Sequence, residues 1–154
     1  MFAVEIKNEA VTAALTRLSA LTGDMAPIMK QIGELLAQST QDRLKAGISP
    51  DGTAFAPRSP VTIANYARKK VSFGGVLYRG GDLYNQIASE SGSDYVEVGS
   101  NMAYAAMMHF GGTKAAFPNL WGNIPARPFL GISQDDERDI LAEIAEALSE
   151  AVQP

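Results

Sequence analysis

The chain contains no cysteine and a single histidine, His109, among its 154 residues. Without cysteine there is no disulfide framework, no thiolate nucleophile and no cysteine-ligated zinc or iron–sulfur centre. One histidine excludes a multi-histidine metal site. No apolar run approaches the roughly 20 residues that span a bilayer. The opening Met-Phe-Ala-Val-Glu-Ile-Lys lacks the basic-then-apolar layout of a secretion signal. These gaps set the expectation of a soluble, cytoplasmic protein with no cofactor, no metal and no membrane partner, short of the parts from which active sites are built.

What is present is enough for a core. Hydrophobic residues make up 46% of the chain, and the length suits one domain running from 1 to 154. The formal net charge of −4 hides an uneven distribution. From Arg43 to Arg79 seven basic residues face Asp51 alone, a net of +6. From Ser133 to Pro154 seven acids face Arg138 alone, a net of −6. Opposite poles of this kind either remain two solvated faces or pair copies of the chain head to tail.

Phe2, Val4 and Ile6 alternate with polar or small residues, the pattern of a short half-buried strand. Asn8 can cap a helix carrying Val11, Ala14, Leu15 and Leu18, which Gly23 stops. Asp24 is the next candidate cap. Ile28, Ile32, Leu35, Leu36 and Ser39 then form one stripe of a long helix closed by Gly47. Ile48 to Pro60 is proline- and glycine-rich loop. Thr62 to Lys70 reads as a short helix with Ile63 and Tyr66 inward. The segments 83–89 and 95–99 alternate around Ser91-Gly92-Ser93-Asp94, which predicts a β-hairpin. Met102 to Phe110 reads as a short buried helix. The last helix opens on a capping-box pattern, Ser133 with Asp136. Ile140, Leu141, Ile144 and Leu148 lie on one face, and Asp136, Asp139, Glu143, Glu146 and Glu150 lie on the other. That acidic stripe is either a solvated face or the lining of a contact or pore.

No enzyme signature is carried by these elements. His109 is the only side chain suited to acid–base work near neutral pH, and no Ser or Asp stands at a triad spacing from it; a hydrogen-bonded structural role is the alternative. The acids of the last helix lack the loop and turn glycine of a calcium site. The glycine pairs at 74–75 and 80–81 match no phosphate-binding pattern. Arg58, Arg68, Lys69, Lys70 and Arg79, interleaved with Tyr66 and Tyr78, suit either an acidic protein partner or nucleic acid, although the overall acidic balance opposes the latter. Arg127 stands between Pro125 and Pro128, stiff residues that fix its position. It can clamp carbonyls within the chain or meet another subunit. Phe117 and Trp121 sit in an apolar loop that a lone monomer would expose.

Several of these features occur together in a recognisable order. Ser49-Pro50-Asp51-Gly52 with Phe55 and Pro57 is followed by Thr62 and Arg68-Lys69, then Val76-Leu77 with Gly81-Asp82-Leu83. Val96-Glu97-Val98-Gly99-Ser100, Tyr104 and the run Ile124-Pro-Ala-Arg-Pro-Phe-Leu-Gly-Ile-Ser133 complete the set. From Gln41 to Leu148 the chain resembles the phage virion morphogenesis family, which includes tail completion proteins and the G-like proteins of Mu-type phages. It departs at Phe55, where the family often has Trp, and in the variable loop 114–122.

The resemblance implies a structural protein of a tailed phage, acting as a tail completion, tail terminator or head–tail joining component at the neck or tail end of the virion, after assembly in the bacterial host cytoplasm. Its partners would be further copies of itself in a ring of six or twelve, tail tube or connector proteins, and DNA only as it passes through the channel. Residue patterns and resemblance together predict an α+β fold: a small antiparallel sheet from the N-terminal strand and the hairpin, an edge piece near Phe129, and the long central helix and the C-terminal amphipathic helix packed on it. The expected subunit contacts are Arg58, Arg68, Lys69, Lys70, Arg79, Phe117, Trp121 and Arg127, with Asp136, Asp139, Glu143, Glu146 and Glu150 as a possible channel-facing stripe. A nucleic-acid-binding module using the 58–79 basic segment is the alternative.

Overall fold

The computed structural model describes residues 2–3, 5–120 and 122–152, with Phe2 and Ala3 described by their backbone only. Three strands, β1 (Phe2–Ala3), β2 (Ile87–Ser91) and β3 (Val96–Ser100), form an antiparallel sheet in the order β1-β3-β2. The hairpin β2–β3 pairs Ile87 with Ser100 and Ser91 with Val96. Gly92 to Tyr95 forms its turn, closed by the Gly92 N–H donating to the Tyr95 carbonyl at 3.0 Å. The central strand β3 also pairs with β1, Phe2 opposite Ser100.

Six helices complete this α+β fold among the described residues: α1 (Glu9–Ser19), α2 (Ala26–Ala46), α3 (Pro60–Arg68), α4 (Asp82–Asn85), α5 (Ala105–Phe110) and α6 (Gln134–Ala151). The local signals that start and stop the longer ones are satisfied in detail. Asn8 Oδ1 accepts the Val11 N–H at 3.0 Å and caps α1. Ser133 and Asp136 form both halves of the capping box at the start of α6. Gly47 ends α2 in the left-handed region, where a residue with a Cβ is disfavoured. Asp24 caps one position outside its expected place: α2 begins after Met25, and Asp24 Oδ1 accepts the Ala26 N–H.

The long helix α2 organises the molecule. It lies across β2 and β3 on one side and meets α6 on the other, and α6 also packs along α1. Gly33 permits the close approach to the sheet, since a Cβ there would stand 3.3 Å from the Ser89 Cβ. Two buried clusters result. One joins α1, the first half of α2 and α6 through Val11, Leu18, Ile28, Ile32, Ile140 and Ile144. The other gathers Leu44, Phe55, Leu83, Ile87, Ala105 and Phe129 around the far end of α2.

Four expectations are corrected. Residues 82–85 are the helical turn α4 and the strand begins only at Ile87, because Leu83 turns into the second cluster. The segment around Phe129 is not an edge strand: the Phe129 and Leu130 N–H groups donate to His109 Nδ1, at 3.3 and 3.4 Å, and the Arg127 N–H to the Met108 carbonyl. Ile63 faces outward on α3, of which no residue is buried. Ile6 is exposed beyond the end of β1, and Val4 lies outside the described residues.

Candidate functional site

Ser39 continues the inward stripe of α2, and Arg43 follows it one turn later at i+4. That spacing carries a guanidinium into the interior. Arg43 Nη1 meets Asp136 Oδ2 at 2.7 Å, with both side chains buried. Arg43 also donates to the carbonyl of Gly131 at 3.0 Å and to the Ser39 hydroxyl at 2.6 Å. The Ser39 hydroxyl in turn donates to Asp136 Oδ1. Burial pushes the Asp136 carboxyl upward, but the Ser39 hydroxyl, the Ser133 N–H and the charge of Arg43 outweigh it and hold the group below its ordinary range.

Two sequence expectations change as a result. Asp136 does not belong to the exposed acidic stripe, because the capping box turns it inward onto Arg43. The two opposite poles of the chain are therefore joined at one point inside the same molecule. The sequence offers Asp136 as a capping residue and Arg43 only as the first charge of the basic segment; the signal that could have found Arg43 is its place at i+4 from Ser39 on the inward stripe, and neither signal names the other.

The rest of the acidic stripe remains at the surface. Asp139 is exposed and, with Asp135, engages Arg138 at 3.7 and 3.1 Å. Glu143 is half-buried, and Glu146 and Glu150 are exposed.

The basic segment divides in two. Arg58 donates to the carbonyls of Gly74 and Gly75, at 3.0 and 2.5 Å, and lies over the rings of Phe73 and Tyr66 at 4.6 and 5.6 Å. Arg79 lies over Tyr66 at 5.2 Å. These two cations fasten the loop 71–81 to α3 by cation–π and carbonyl contacts. Lys45 adds a similar contact over Tyr84 at 4.8 Å, a partner not read from the sequence. Arg68, Lys69 and Lys70 instead project at the exposed end of α3.

Arg127 is buried, with Nε donating to the carbonyl of Ala56 at 2.7 Å and Nη2 to that of Pro57 at 2.9 Å. Of its two possible roles, this is the carbonyl clamp. Burial, and then the nearby charge of Arg58, push its pKa down. Phe117 is exposed on the loop after α5, where the Thr113 carbonyl accepts its N–H. Trp121 lies outside the described residues. His109 is buried edge-on to Phe129 and Phe110, with Nδ1 accepting two backbone N–H groups. Its Nδ1 is therefore unprotonated and the ring neutral, and burial lowers its pKa. This is the structural role, at the junction of α5 with the 127–130 segment.

Above the Arg43–Asp136 pair runs an open groove of about 1430 Å³, walled by the second half of α2, the 48–56 loop and residues 126–139. Its apolar lining includes Ile6, Leu35, Ile48, Pro50 and Ile132. Five carboxylates and two guanidinium groups line it. Both guanidinium groups, those of Arg43 and Arg127, are bonded within the chain; Asp42, Asp51, Asp135 and Asp139 are exposed, with Asp42 accepting from Gln38, Asp51 from the Thr53 N–H, and Asp135 and Asp139 engaged by Arg138.

Residues 6–149 match the phage virion morphogenesis family. The chain belongs to that family. It is 30% identical over 151 residues to the putative capsid assembly protein G of Escherichia phage Mu, covering 97% of this chain and 94% of that one. It is 31% identical over 145 residues to the Mu-like prophage FluMu G protein 2 of Haemophilus influenzae, with 94% of each chain covered. No solved structure matches it. A role in phage virion assembly follows from membership, and the run from Pro125 to Gly131 is the segment that holds the 56–57 carbonyls and His109. Among the described residues no helix is long and apolar enough to cross a membrane.

Proposed function

We propose that this protein is a non-catalytic assembly component that closes into a ring at the head–tail junction of a phage particle, at the tail end or neck. The observation that carries the reading is the surface of a virion-assembly family member on which exposed cations, Arg68, Lys69 and Lys70, and exposed acids, Asp135 and Asp139, stand on different elements. Identical copies with two unlike, complementary surfaces associate heterologously, and such contacts close into a ring when the rotation between copies permits. A permanent interface of this type buries on the order of 2,000 Å² or more. The half-buried Glu143 and the exposed Glu146 and Glu150 would then line the channel, where carboxylates repel DNA phosphates and keep passing DNA from adhering.

Phe117 and Trp121 would contact a tail tube or connector protein. Arg127, bonded to the carbonyls of Ala56 and Pro57, would act by holding that loop rather than by touching the partner. Light scattering of the purified protein tests the reading: a closed oligomer of defined mass is expected. A strict monomer that also fails to assemble on isolated tails would overturn it. A monomer that binds DNA with steep salt dependence would favour the nucleic-acid alternative.

A further inference from the structure

The helix α3 has nine residues, none of them buried. At about 100° per residue, Thr62, Asn65 and Tyr66 share the half-buried side, while the outward arc runs from Ile63 through Ala67, Ala64 and Arg68 to Val61, with Ile63 and Val61 at its opposite edges, about 160° apart. Val61 is 70% exposed and Ile63 45%. The helix therefore presents an apolar side to solvent and ends in three consecutive cations, Arg68-Lys69-Lys70. A helix of this length gains little from backbone propensity alone and depends on packing of an apolar face. Within the chain, α3 is fixed from the other side, through Tyr66, Phe73, Arg58 and Arg79.

The groove over Arg43–Asp136 has the converse chemistry. Its floor is apolar, with Leu35, Ile48 and Ile132, and its rim carries the exposed Asp42, Asp51, Asp135 and Asp139. The cations in its wall are already bonded to Asp136, Gly131, Ala56 and Pro57. An occupant with an apolar side and cations at one end is complementary to it in both respects. At about 1.5 Å per residue α3 is about 13 Å long, a size suited to an open groove of about 1430 Å³.

We infer that α3 of one copy docks in the groove of the next, with Ala64 and Ala67 on the apolar floor, Val61 and Ile63 against its two walls, and Arg68, Lys69 and Lys70 against the aspartates of the rim. The inference rests on the head-to-tail assembly proposed above and names its contact surfaces. Because donor and acceptor surfaces are different parts of the chain, each copy uses both, and the contact propagates around a ring. Rim charges contribute mainly to association rate and partner choice, whereas the buried apolar side carries affinity.

Complementary charge reversal tests it. Lys69→Glu with Lys70→Glu on one version of the chain, and Asp135→Lys with Asp139→Lys on another, should each raise the concentration needed for assembly at least tenfold in sedimentation or light scattering. Mixing the two should restore assembly. An assembling wild type that is unaffected by either reversal, or reversed variants that do not rescue one another, would overturn the α3–groove contact while leaving ring formation intact. A wild type that stays monomeric and also fails to assemble on isolated tails would overturn both. As a second measurement that leaves the helix-start charge of Asp135 in place, the cysteine-free chain allows Lys69→Cys and Asp139→Cys copies to be mixed under mild oxidation. A disulfide-linked pair is expected between them, and none between Lys69→Cys and Glu90→Cys on the hairpin; the reverse result contradicts the contact.

Discussion

Arg43 and Asp136, ninety-three residues apart, form a buried ion pair at 2.7 Å that ties the end of α2 to the start of α6. Around it lie the Ser39 hydroxyl, the Ser133 N–H and the Gly131 carbonyl, which add hydrogen bonds to the ion pair and leave the buried Arg43 Nε as the one nitrogen of that guanidinium without a partner. Removing one partner of such a pair leaves an uncompensated buried charge. Asp136→Ala or Arg43→Ala should each cost about 3–5 kcal/mol, read as a lower urea midpoint with unchanged slope. The double variant should lose less than the sum of the two. Additive losses would mean that the residues act independently.

The same network sets the acid limb of stability. The Asp136 carboxyl is held below its ordinary value in the folded state, so its stabilising contribution is complete above the unfolded pKa of about 3.9 and is lost as pH falls through the folded value. His109 acts one step earlier. Burial lowers its pKa, so below about pH 6.5 the unfolded chain takes up the proton first and stability declines toward the folded pKa. Thermal unfolding followed from pH 8 to pH 3 should therefore fall in two stages. His109→Gln should flatten the first and Asp136→Asn the second, each from a lower starting stability. An identical profile in the His109 variant would remove that residue from the account.

Arg127 should resist conservative replacement. Its guanidinium reaches two successive carbonyls, Ala56 at 2.7 Å and Pro57 at 2.9 Å, and a lysine ammonium cannot present that fork. Arg127→Lys is expected to destabilise by roughly 1.5–3 kcal/mol, the range for hydrogen bonds to a charged group. Hydrogen exchange should show the 54–58 loop opening more often. Wild-type exchange there would indicate that the clamp does not hold the loop.

Phe129 is fully buried between His109 and the second core cluster. Phe129→Ala should cost about 3–5 kcal/mol, whereas Phe117→Ala, on the exposed loop, should change the unfolding midpoint little. Equal losses at the two positions would contradict the separation of core from surface in this part of the chain.

The helices other than α4, and the hairpin turn, are legible in the sequence because their signals are local. Asn8, Gly47, the Ser133–Asp136 box and the stripe from Ile28 to Ser39 each act over a few residues. What escaped depends on partners distant in sequence. An i,i+3,i+4 pattern of acids on α6 does not say that its first member is covered by α2, so the pattern alone puts Asp136 on the exposed stripe. Alternation from Leu83 to Ser89 looks like a strand until Leu83 is drawn into a core that includes Phe55 and Phe129. Phe129 itself sits in an extended segment, but its N–H is taken by His109 rather than by a strand. For the candidate interface, the sequence supplied the exposed cations of α3, while the groove exists only once α2, the 48–56 loop and the 126–139 segment meet.

The central claim is assembly at the junction of head and tail, and the most direct measurement is electron microscopy of particles produced with and without this protein. The account predicts that its absence leaves filled heads and finished tails that fail to join, and that supplying the wild-type protein restores complete virions. Normal, infectious virions formed in its absence would contradict it.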